Sequence, residues 1–292
     1  MEIRAGASPS ESSGKLAGIL AMAATAFLWS IAGLVIKKID WNPIAIAGTR
    51  SLIASLVILL YLRRPKFNFS FPQVAASVSL ALTMMLFVTA NKTTTAANAI
   101  LLQYLAPVLT AFIGAKLLRE KPRAEHFAAF PFVALGMLLM FSGELSGGRL
   151  LGNIIAVASA FTFSFYFIFM RMQKDGSPLE SNLLAHWMTA AVCLLISLFL
   201  PAPTASRGSL VAIMVLGVIQ IGIPAILFAF AIKKVSAVSA TLVAVIEPVF
   251  NPVWVFLAIG ESPGPNAVWG GAIIILAVTA ASVASSRRKP AN

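Results

Sequence analysis

Ten apolar runs, each close to twenty residues long, follow one another along this chain. A helix needs about 20 predominantly apolar residues to span the hydrocarbon core of a bilayer. Charged residues, prolines and glycines separate the runs, which cover residues 16–36, 43–62, 72–90, 95–118, 125–142, 151–171, 180–200, 208–230, 236–259 and 266–284. This succession predicts an all-α integral membrane protein with ten transmembrane helices, surrounded by the lipid bilayer.

The composition agrees with this class and argues against a soluble domain. Apolar residues make up 59% of the 292 residues and charged residues 11%, whereas soluble domains carry about 25% charge. The net charge of +12 would also suit a nucleic-acid-binding protein. Such a protein needs its basic residues gathered on one face, and here they form short clusters between apolar runs. We therefore predict no nucleic-acid partner.

The chain divides into two five-span halves with short polar ends. Residues 1–15 are polar, and we expect a disordered cytoplasmic N-terminus. The first apolar run, of about 21 residues, is longer than the 7–15-residue core of a cleaved signal, so we expect it to remain as a helix. The halves are residues 16–142 and 151–284, and residues 285–292 form a basic cytoplasmic tail.

The loops alternate between basic and less basic, which predicts the orientation. Sixteen of the 22 lysines and arginines fall on one set of loops and five on the other, with Arg50 inside a span. Basic loops stay in the cytoplasm. The pattern predicts a multi-pass protein of the plasma (inner) membrane with both termini cytoplasmic.

The second half repeats the first. At a shift of 141 positions, Pro107 matches Pro248, Glu120 matches Glu261 and Pro122 matches Pro263. At a shift of 134, Thr25–Ser30 matches Ser159–Ser164. Each half holds an odd number of spans, so the two halves run in opposite directions across the membrane. Inverted repeats of this kind support alternating access to a site at the midplane.

Several motifs resemble the drug/metabolite transporter superfamily. The Trp29-Ser30 pair, Pro43 with Arg50 seven residues later, and Pro107 followed by Arg119-Glu120 fit that superfamily, and Glu247-Pro248 with Gly260-Glu261 is similar to its EamA family. Within that family the chain resembles YddG-type exporters of aromatic amino acids. The resemblance implies export of small metabolites. The sequence departs from the common pattern at Leu105-Ala106, because the second half has the acidic Glu247 at the corresponding position. A mechanism that uses a paired acid in each half is therefore not supported.

Glu247 is the one acid well inside a predicted span. It lies roughly 17 Å along its helix at ~1.5 Å per residue, close to the membrane midplane. Pro248 and Pro252 lack N–H groups, so the carbonyls of Ala244 and Pro248 lose their helical partners. Asn251 follows Glu247 by one turn, on the same face. Glu247 is a candidate for substrate-amine contact or proton-coupled gating, or for a structural acid paired with Arg50.

Arg50 is the one lysine or arginine well inside a span, since Lys116 and Arg171 lie at the ends of theirs. A guanidinium can bind a carboxylate through two parallel hydrogen bonds, so Arg50 is a candidate for substrate binding or gating. It has no counterpart in the seventh span, which favours a bracing role in helix packing.

Helical spacing and the repeat give further candidates for the wall of a substrate cavity. Aromatic walls with a few polar groups suit amphipathic solutes, although each aromatic side chain also suits ordinary helix packing. The cavity candidates are Trp29, Thr83, Phe87, Gln103, Tyr104, Phe163, Tyr166, Gln220, Phe228, Glu247 and Asn251.

Other functions are disfavoured by what the spans lack. One cysteine, Cys193, and two distant histidines give no metal-ligand spacing, and we expect no cofactor. A membrane-embedded enzyme needs a nucleophile with a base or paired carboxylates, and a channel needs a ring of like residues. A nucleotide-sugar or sugar-phosphate exchanger needs several buried cations, and a multidrug exporter is the other alternative. The prediction is an exporter of amino acids, facilitated or proton-coupled, with its oligomeric state open.

Overall fold

In the computed structural model, the described residues are 9–37, 39–94, 96–120, 122–140, 142, 150–204, 206–260 and 264–287. Within these ranges the regular structure is helical. We number the helices α1 to α14: Pro9–Trp29, Ala32–Lys37, Pro43–Leu62, Phe71–Thr93, Ala96–Gln103, Ala106–Leu117, Ala124–Met140, Leu150–Met172, Pro178–Ser197, Arg207–Val215, Ile223–Lys234, Ala237–Ala244, Ile246–Ile259 and Pro265–Arg287. A π-helical segment, Leu216–Gly222, joins α10 to α11.

Eight helical segments of the described chain are long and apolar enough to cross a membrane. They are Ser13–Ile36, Pro43–Leu62, Phe71–Ala90, Asn98–Leu117, Leu150–Met172, Pro178–Ser197, Arg207–Lys234 and Pro265–Ala284. Two further apolar helices, Ala124–Met140 and Ala237–Phe250, are shorter. The structure is therefore that of a multi-pass membrane protein. The count of ten crossings stays a prediction.

Three of the predicted spans are interrupted near a proline. The fourth predicted span breaks between Gln103 and Ala106, one residue before Pro107, and the ninth breaks at Val245, three residues before Pro248. The eighth widens into the π-helical segment just before Pro224. Proline removes a backbone donor and clashes with the preceding turn, and π-bulges relieve such interruptions.

The contacts between helices follow the repeat. The two broken helices end at Gln103 and Ala244, which are 141 positions apart, the shift at which the sequence repeats. The helix α4 packs extensively against α8, and α1, the counterpart of α8, packs extensively against α11, the counterpart of α4. The helices α3 and α9, which are counterparts, pack on each other, as do α7 and α14. This arrangement is expected for two related halves. Their opposite orientation stays a prediction.

Glycines allow the closest of these contacts. A Cβ atom on Gly270 of α14 would lie 2.5 Å from the carbonyl oxygen of Gly136 on α7, and one on Gly136 would lie 2.7 Å from the carbonyl oxygen of Gly270. Small residues permit such close helix approach in membranes. Gly270 thus serves packing between α14 and α7 within the chain.

The first and last helices extend beyond the boundaries predicted for the first and last spans. The first helix begins at Pro9, inside the segment expected to be disordered, and α14 continues to Arg287, inside the predicted tail. Proline is favoured at the first position of a helix, which explains the early start. Residues 1–8 and 288–292 lie outside the described residues, as do Glu261 and Pro263 of the repeat.

Candidate substrate site

Tyr104 joins the broken helices of the two halves. Its hydroxyl donates to Oε2 of Glu247 at 2.8 Å and also lies 3.1 Å from the carbonyl oxygen of Ala244. Tyr104 is 9% exposed. The Ala244 carbonyl is the one expected to lose its helical partner because Pro248 has no N–H, and here a side chain from the other half reaches it. The hydroxyl of Tyr104 thus lies between the carbonyl released by the break and the side chain of Glu247, and it helps to hold Glu247 in position.

Arg50 lies inside the protein on α3, 8% exposed, and its Nε atom has no hydrogen-bond partner. It interacts electrostatically with Glu247, and also with His186 and Cys193 on α9. The ion pairs among the described residues are Arg123–Glu125 and Arg171–Glu120. The direct pairing of Arg50 with Glu247 is therefore not formed in this structure, and the two charges stay separate inside the protein.

Aromatic rings from α1, α8 and α11 form one cluster, hereafter the aromatic wall: Trp29, Phe163, Tyr166, Phe167 and Phe228. The Trp29 ring lies 6.3 Å from that of Phe163 and 6.0 Å from that of Phe228. The rings of Tyr166 and Phe228 stack at 5.0 Å. Four members were predicted from the sequence. Phe167 was missed, although it follows Phe163 by one helical turn.

Asn182 on α9 fixes the hydroxyl end of Tyr166. The Tyr166 hydroxyl donates to Oδ1 of Asn182 at 2.7 Å, and Nδ2 of Asn182 donates to the carbonyl oxygen of Ala225 at 3.1 Å. Both side chains are almost fully buried. Sequence reasoning missed Asn182, because its position on the inner face of α9 depends on how that helix is rotated.

Gln220 approaches the aromatic wall from the π-helical segment. Its Nε2 donates to the carbonyl oxygen of Trp29 at 3.4 Å, while its Oε1 is buried without a partner. His186, 1% exposed, also has an unpartnered ring atom, Nδ1. Buried polar atoms are nearly always satisfied. Arg50, Gln220 and His186 thus each present an unpartnered polar atom inside the protein.

Gln103 and Thr83 belong to a separate polar group that links α4 and α5 to α8. Gln103 donates from Nε2 to the Ser159 hydroxyl at 2.9 Å, and Thr83 donates to the Thr162 hydroxyl at 2.8 Å. Phe87 packs beside a nearby cluster of small residues, Ala90, Ala99 and Ala156. Gln103 and Tyr104 are adjacent in sequence but contact different helices. The predicted cavity residues thus fall into separate groups: Gln103, Thr83 and Phe87 lie where α4 and α5 meet α8, apart from the aromatic wall and from the contact of Tyr104 with Glu247.

The remaining candidate on α13 is Asn251. Its side chain lies outside the described part of the structure. Further along the same helix, Nε1 of Trp254 donates to the Ser30 hydroxyl at 2.7 Å, and its ring lies 5.1 Å from that of Phe27. These contacts tie α13 to the end of α1, where the aromatic wall begins with Trp29.

Away from this interior, Arg171 joins several helix ends. Its Nε donates to Oε1 of Glu120 at 2.7 Å, and Nη1 donates to the carbonyl oxygens of Ile232 and Lys233 at 2.9 and 3.0 Å. Cations are favourable at helix C-termini, and Lys233 lies in the last turn of α11. Glu120, a motif residue of the first half, thus holds a cation of the second half.

The described residues include no group of three or more His, Cys, Asp or Glu side chains arranged to hold a metal ion. The single cysteine, Cys193, is free and buried. The chemistry of the interior therefore comes from a carboxyl, a guanidinium, hydroxyls, amides and aromatic rings.

The long apolar helices define a multi-pass helical membrane protein, and its interior contains polar and aromatic side chains. The family model of the EamA-like transporter family matches residues 16–142 and again 150–283. The chain belongs to the EamA-like transporter family and is a membrane transporter. It is similar to an uncharacterized transporter of Archaeoglobus fulgidus, with 24% identity across 89% of this chain and 94% of that protein.

A solved crystal structure of a protein shares the fold, with a TM-score of 0.77 and 22% sequence identity. The match covers 94% of this chain and 97% of the other. This similarity concerns the fold alone and extends over nearly the whole chain.

Proposed function

We propose that this transporter exports amino acids, chiefly aromatic and neutral ones, from the cytoplasm by alternating access. The observation that carries the proposal is the combination of Glu247, Arg50 and the aromatic wall in one protein interior. An amino acid presents an ammonium, a carboxylate and a side chain. The interior offers a complementary group for each of them.

The charges suit a zwitterion better than an ion of one sign. Glu247 accepts a hydrogen bond from Tyr104 at 2.8 Å through Oε2, and its other oxygen is suited to a substrate ammonium. Arg50 carries an unpartnered Nε, which suits a carboxylate. Charges within a membrane span are costly and face the bundle interior. A zwitterionic substrate would compensate both at once.

The aromatic wall supplies the third contact. Aromatic rings prefer offset-stacked or edge-to-face contacts, and the ring pairs of the wall already adopt both arrangements. An indole or phenyl side chain would add one more ring to this set. Multidrug export also fits an acid beside aromatic rings but gives no role to Arg50. Sugar-phosphate exchange would need more cations than Arg50 alone.

The broken helices suit alternating access. Broken helices near the midplane of inverted-repeat transporters offer free backbone groups to the substrate. The break here releases the carbonyl of Ala244 from its helix, and Tyr104 contacts that carbonyl beside Glu247. We propose that the halves rock about this centre, with both termini cytoplasmic in the plasma membrane. Glu247 provides one site for a proton, so transport is either facilitated or coupled to protons.

The test is uptake into proteoliposomes that contain the full-length protein. Labelled tryptophan, leucine, a sugar phosphate and a cationic drug are compared with and without an imposed pH gradient. We expect tryptophan and leucine to be carried and the sugar phosphate to be excluded. Carriage of the cationic drug without either amino acid would overturn the amino-acid proposal in favour of multidrug export.

A further inference from the structure

The linker between α3 and α4, residues 63–70, presents basic and aromatic side chains together. It contains Arg63, Arg64 and Lys66, all exposed, and no acidic residue. Phe69 is 66% exposed, and Phe71, at the first position of α4, is 73% exposed. An aqueous surface disfavours such apolar rings, whereas the hydrocarbon of a lipid accommodates them.

A side chain from the next helix fixes the linker in this shape. Oε1 of Gln73 accepts hydrogen bonds from the backbone N–H groups of Asn68 and Phe69, at 3.1 and 2.9 Å. Phe69 has φ of 48°, a left-handed conformation that non-glycine residues seldom adopt. Nε2 of Gln73 donates to the Ser177 hydroxyl at 3.0 Å. The exposed ring of Phe69 is therefore held in place by the surrounding structure.

The aromatic rings of the linker continue along the outer surface of α9. The ring of Phe67 lies 5.7 Å from that of Phe69 and 5.5 Å from that of Trp187. Trp187 lies nine residues after Pro178, the first residue of α9, and is 38% exposed. At ~1.5 Å per residue this is roughly 13 Å along the helix. The apolar surface thus extends from the linker along α9, and the basic residues of the linker lie near the first residues of that helix.

A cavity of about 340 Å³ opens beside the linker, between the ends of α3 and α11 and the start of α9. Leu62, Glu180, Phe230 and Lys233 are among its lining residues. Glu180 accepts a hydrogen bond from the backbone N–H of Lys66 at 3.4 Å, which ties the cavity to the linker. The cavity therefore joins the linker in one continuous surface.

Cations outnumber acids around this cavity. Nζ of Lys233 donates to the carbonyl oxygen of Gly176 at 3.0 Å, and Nζ of Lys234 lies 4.8 Å from the centre of the Phe230 ring. Together with the three basic residues of the linker, they make five cations, against the carboxyls of Glu180 and of Asp175, which precedes Gly176. The surface is thus cationic at the helix ends and apolar further along α9.

We propose that residues 61–71 and this cavity, together the lipid platform, bind an anionic phospholipid. The phosphate lies against Arg63, Arg64 and Lys66, and an acyl chain follows the rings of Phe67, Phe69 and Trp187. Basic pockets between helices bind anionic headgroups in other membrane proteins. A zwitterionic phospholipid shares the acyl chain but has no net charge, so the lipid platform selects the anionic lipid.

Native mass spectrometry of the full-length protein tests this, with phosphatidylglycerol and phosphatidylcholine of the same acyl chains as probes. We expect wild-type protein to bind phosphatidylglycerol more tightly. The variant R63Q/R64Q/K66Q should lose that preference, by roughly five-fold in affinity for each cation removed. The control K37Q/K38Q/R207Q removes the same charge from loops predicted to lie on the other side, and it should keep the preference.

Three further measurements test the roles of charge, of apolar contact and of the lipid as a whole. The variant R63K/R64K keeps both cations, so it should keep the preference. Phe69→Ala should weaken binding of both lipids alike, because it removes apolar contact alone. Equal affinity of wild type for the two lipids would overturn the proposal, as would an equal loss in the control. Full displacement of phosphatidylglycerol by glycerol phosphate would also overturn it, because the site would then be one for free anions.

Discussion

The hydroxyl of Tyr104 and the carboxylate of Glu247 meet at 2.8 Å, across a separation of 143 residues in the chain. Tyr104 lies at the break of the fourth predicted span and Glu247 just after the break of the ninth. A proline follows each break closely. The two interruptions thus come together and place a carboxyl group and a freed carbonyl in the interior.

Tyr104→Phe removes this hydrogen bond while keeping the ring. A hydrogen bond to a charged group contributes about 1.5–3 kcal/mol, so we expect tryptophan uptake to fall roughly ten-fold or more. Thr89→Val removes a hydroxyl from an exposed position of α4, and it should transport normally. Uptake by the two variants is measured in the same proteoliposomes. Equal rates would mean that the contact has no part in transport.

Glu247→Gln removes the negative charge but keeps an acceptor for the Tyr104 hydroxyl. We expect uptake of amino acids to fall by about ten-fold, because a charge-assisted contact with the ammonium is lost. Any remaining uptake should no longer respond to an imposed pH gradient. Asp175→Asn, at an exposed position, is the matched control. Full activity with an unchanged pH response would exclude Glu247 from both substrate binding and coupling.

Arg50→Gln distinguishes a substrate contact from a packing role. If Arg50 binds the substrate carboxylate, the variant should lose tryptophan transport but retain transport of tryptamine, which has no carboxylate. The expected change in the ratio of the two rates is roughly ten-fold or more, because a hydrogen bond to a charged group contributes about 1.5–3 kcal/mol. An equal fall for both solutes, with a lower melting temperature, would assign Arg50 to helix packing.

Phe163→Ala opens the aromatic wall, where Phe163 contacts Trp29, Tyr166 and Phe167. We expect this variant to transport large solutes better, relative to leucine, than the wild type does, because the substituted position leaves more space. The protein should still be inserted and folded. Phe112→Ala removes a ring that is 61% exposed and should leave the preference unchanged. Competition of unlabelled amino acids against labelled tryptophan measures both variants. An unchanged ranking in Phe163→Ala would place that ring outside the substrate cavity.

The sequence predicted the irregularity at Pro248 better than the rotation of the helices, and the other two irregularities of the predicted spans also lie beside prolines. Pro107, Pro224 and Pro248 each mark an observed irregularity because a missing N–H acts locally. Helical spacing likewise indicated four rings of the aromatic wall. Which helices Gln103 and Tyr104 contact was not predictable, because it depends on how the short helix α5 is turned against α4 and α8. The positions of Asn182 and His186 depend on tertiary packing in the same way.

Cysteine accessibility at position 163 tests most directly whether this interior is a substrate site open to each side in turn. In a Cys193→Ser background, Phe163→Cys provides a single thiol in the aromatic wall. A membrane-impermeant maleimide is added to one side or the other of oriented vesicles. We expect modification from both sides and slower modification from both when tryptophan is present. Modification from one side alone, or a rate that no amino acid changes, would contradict alternating access to this site.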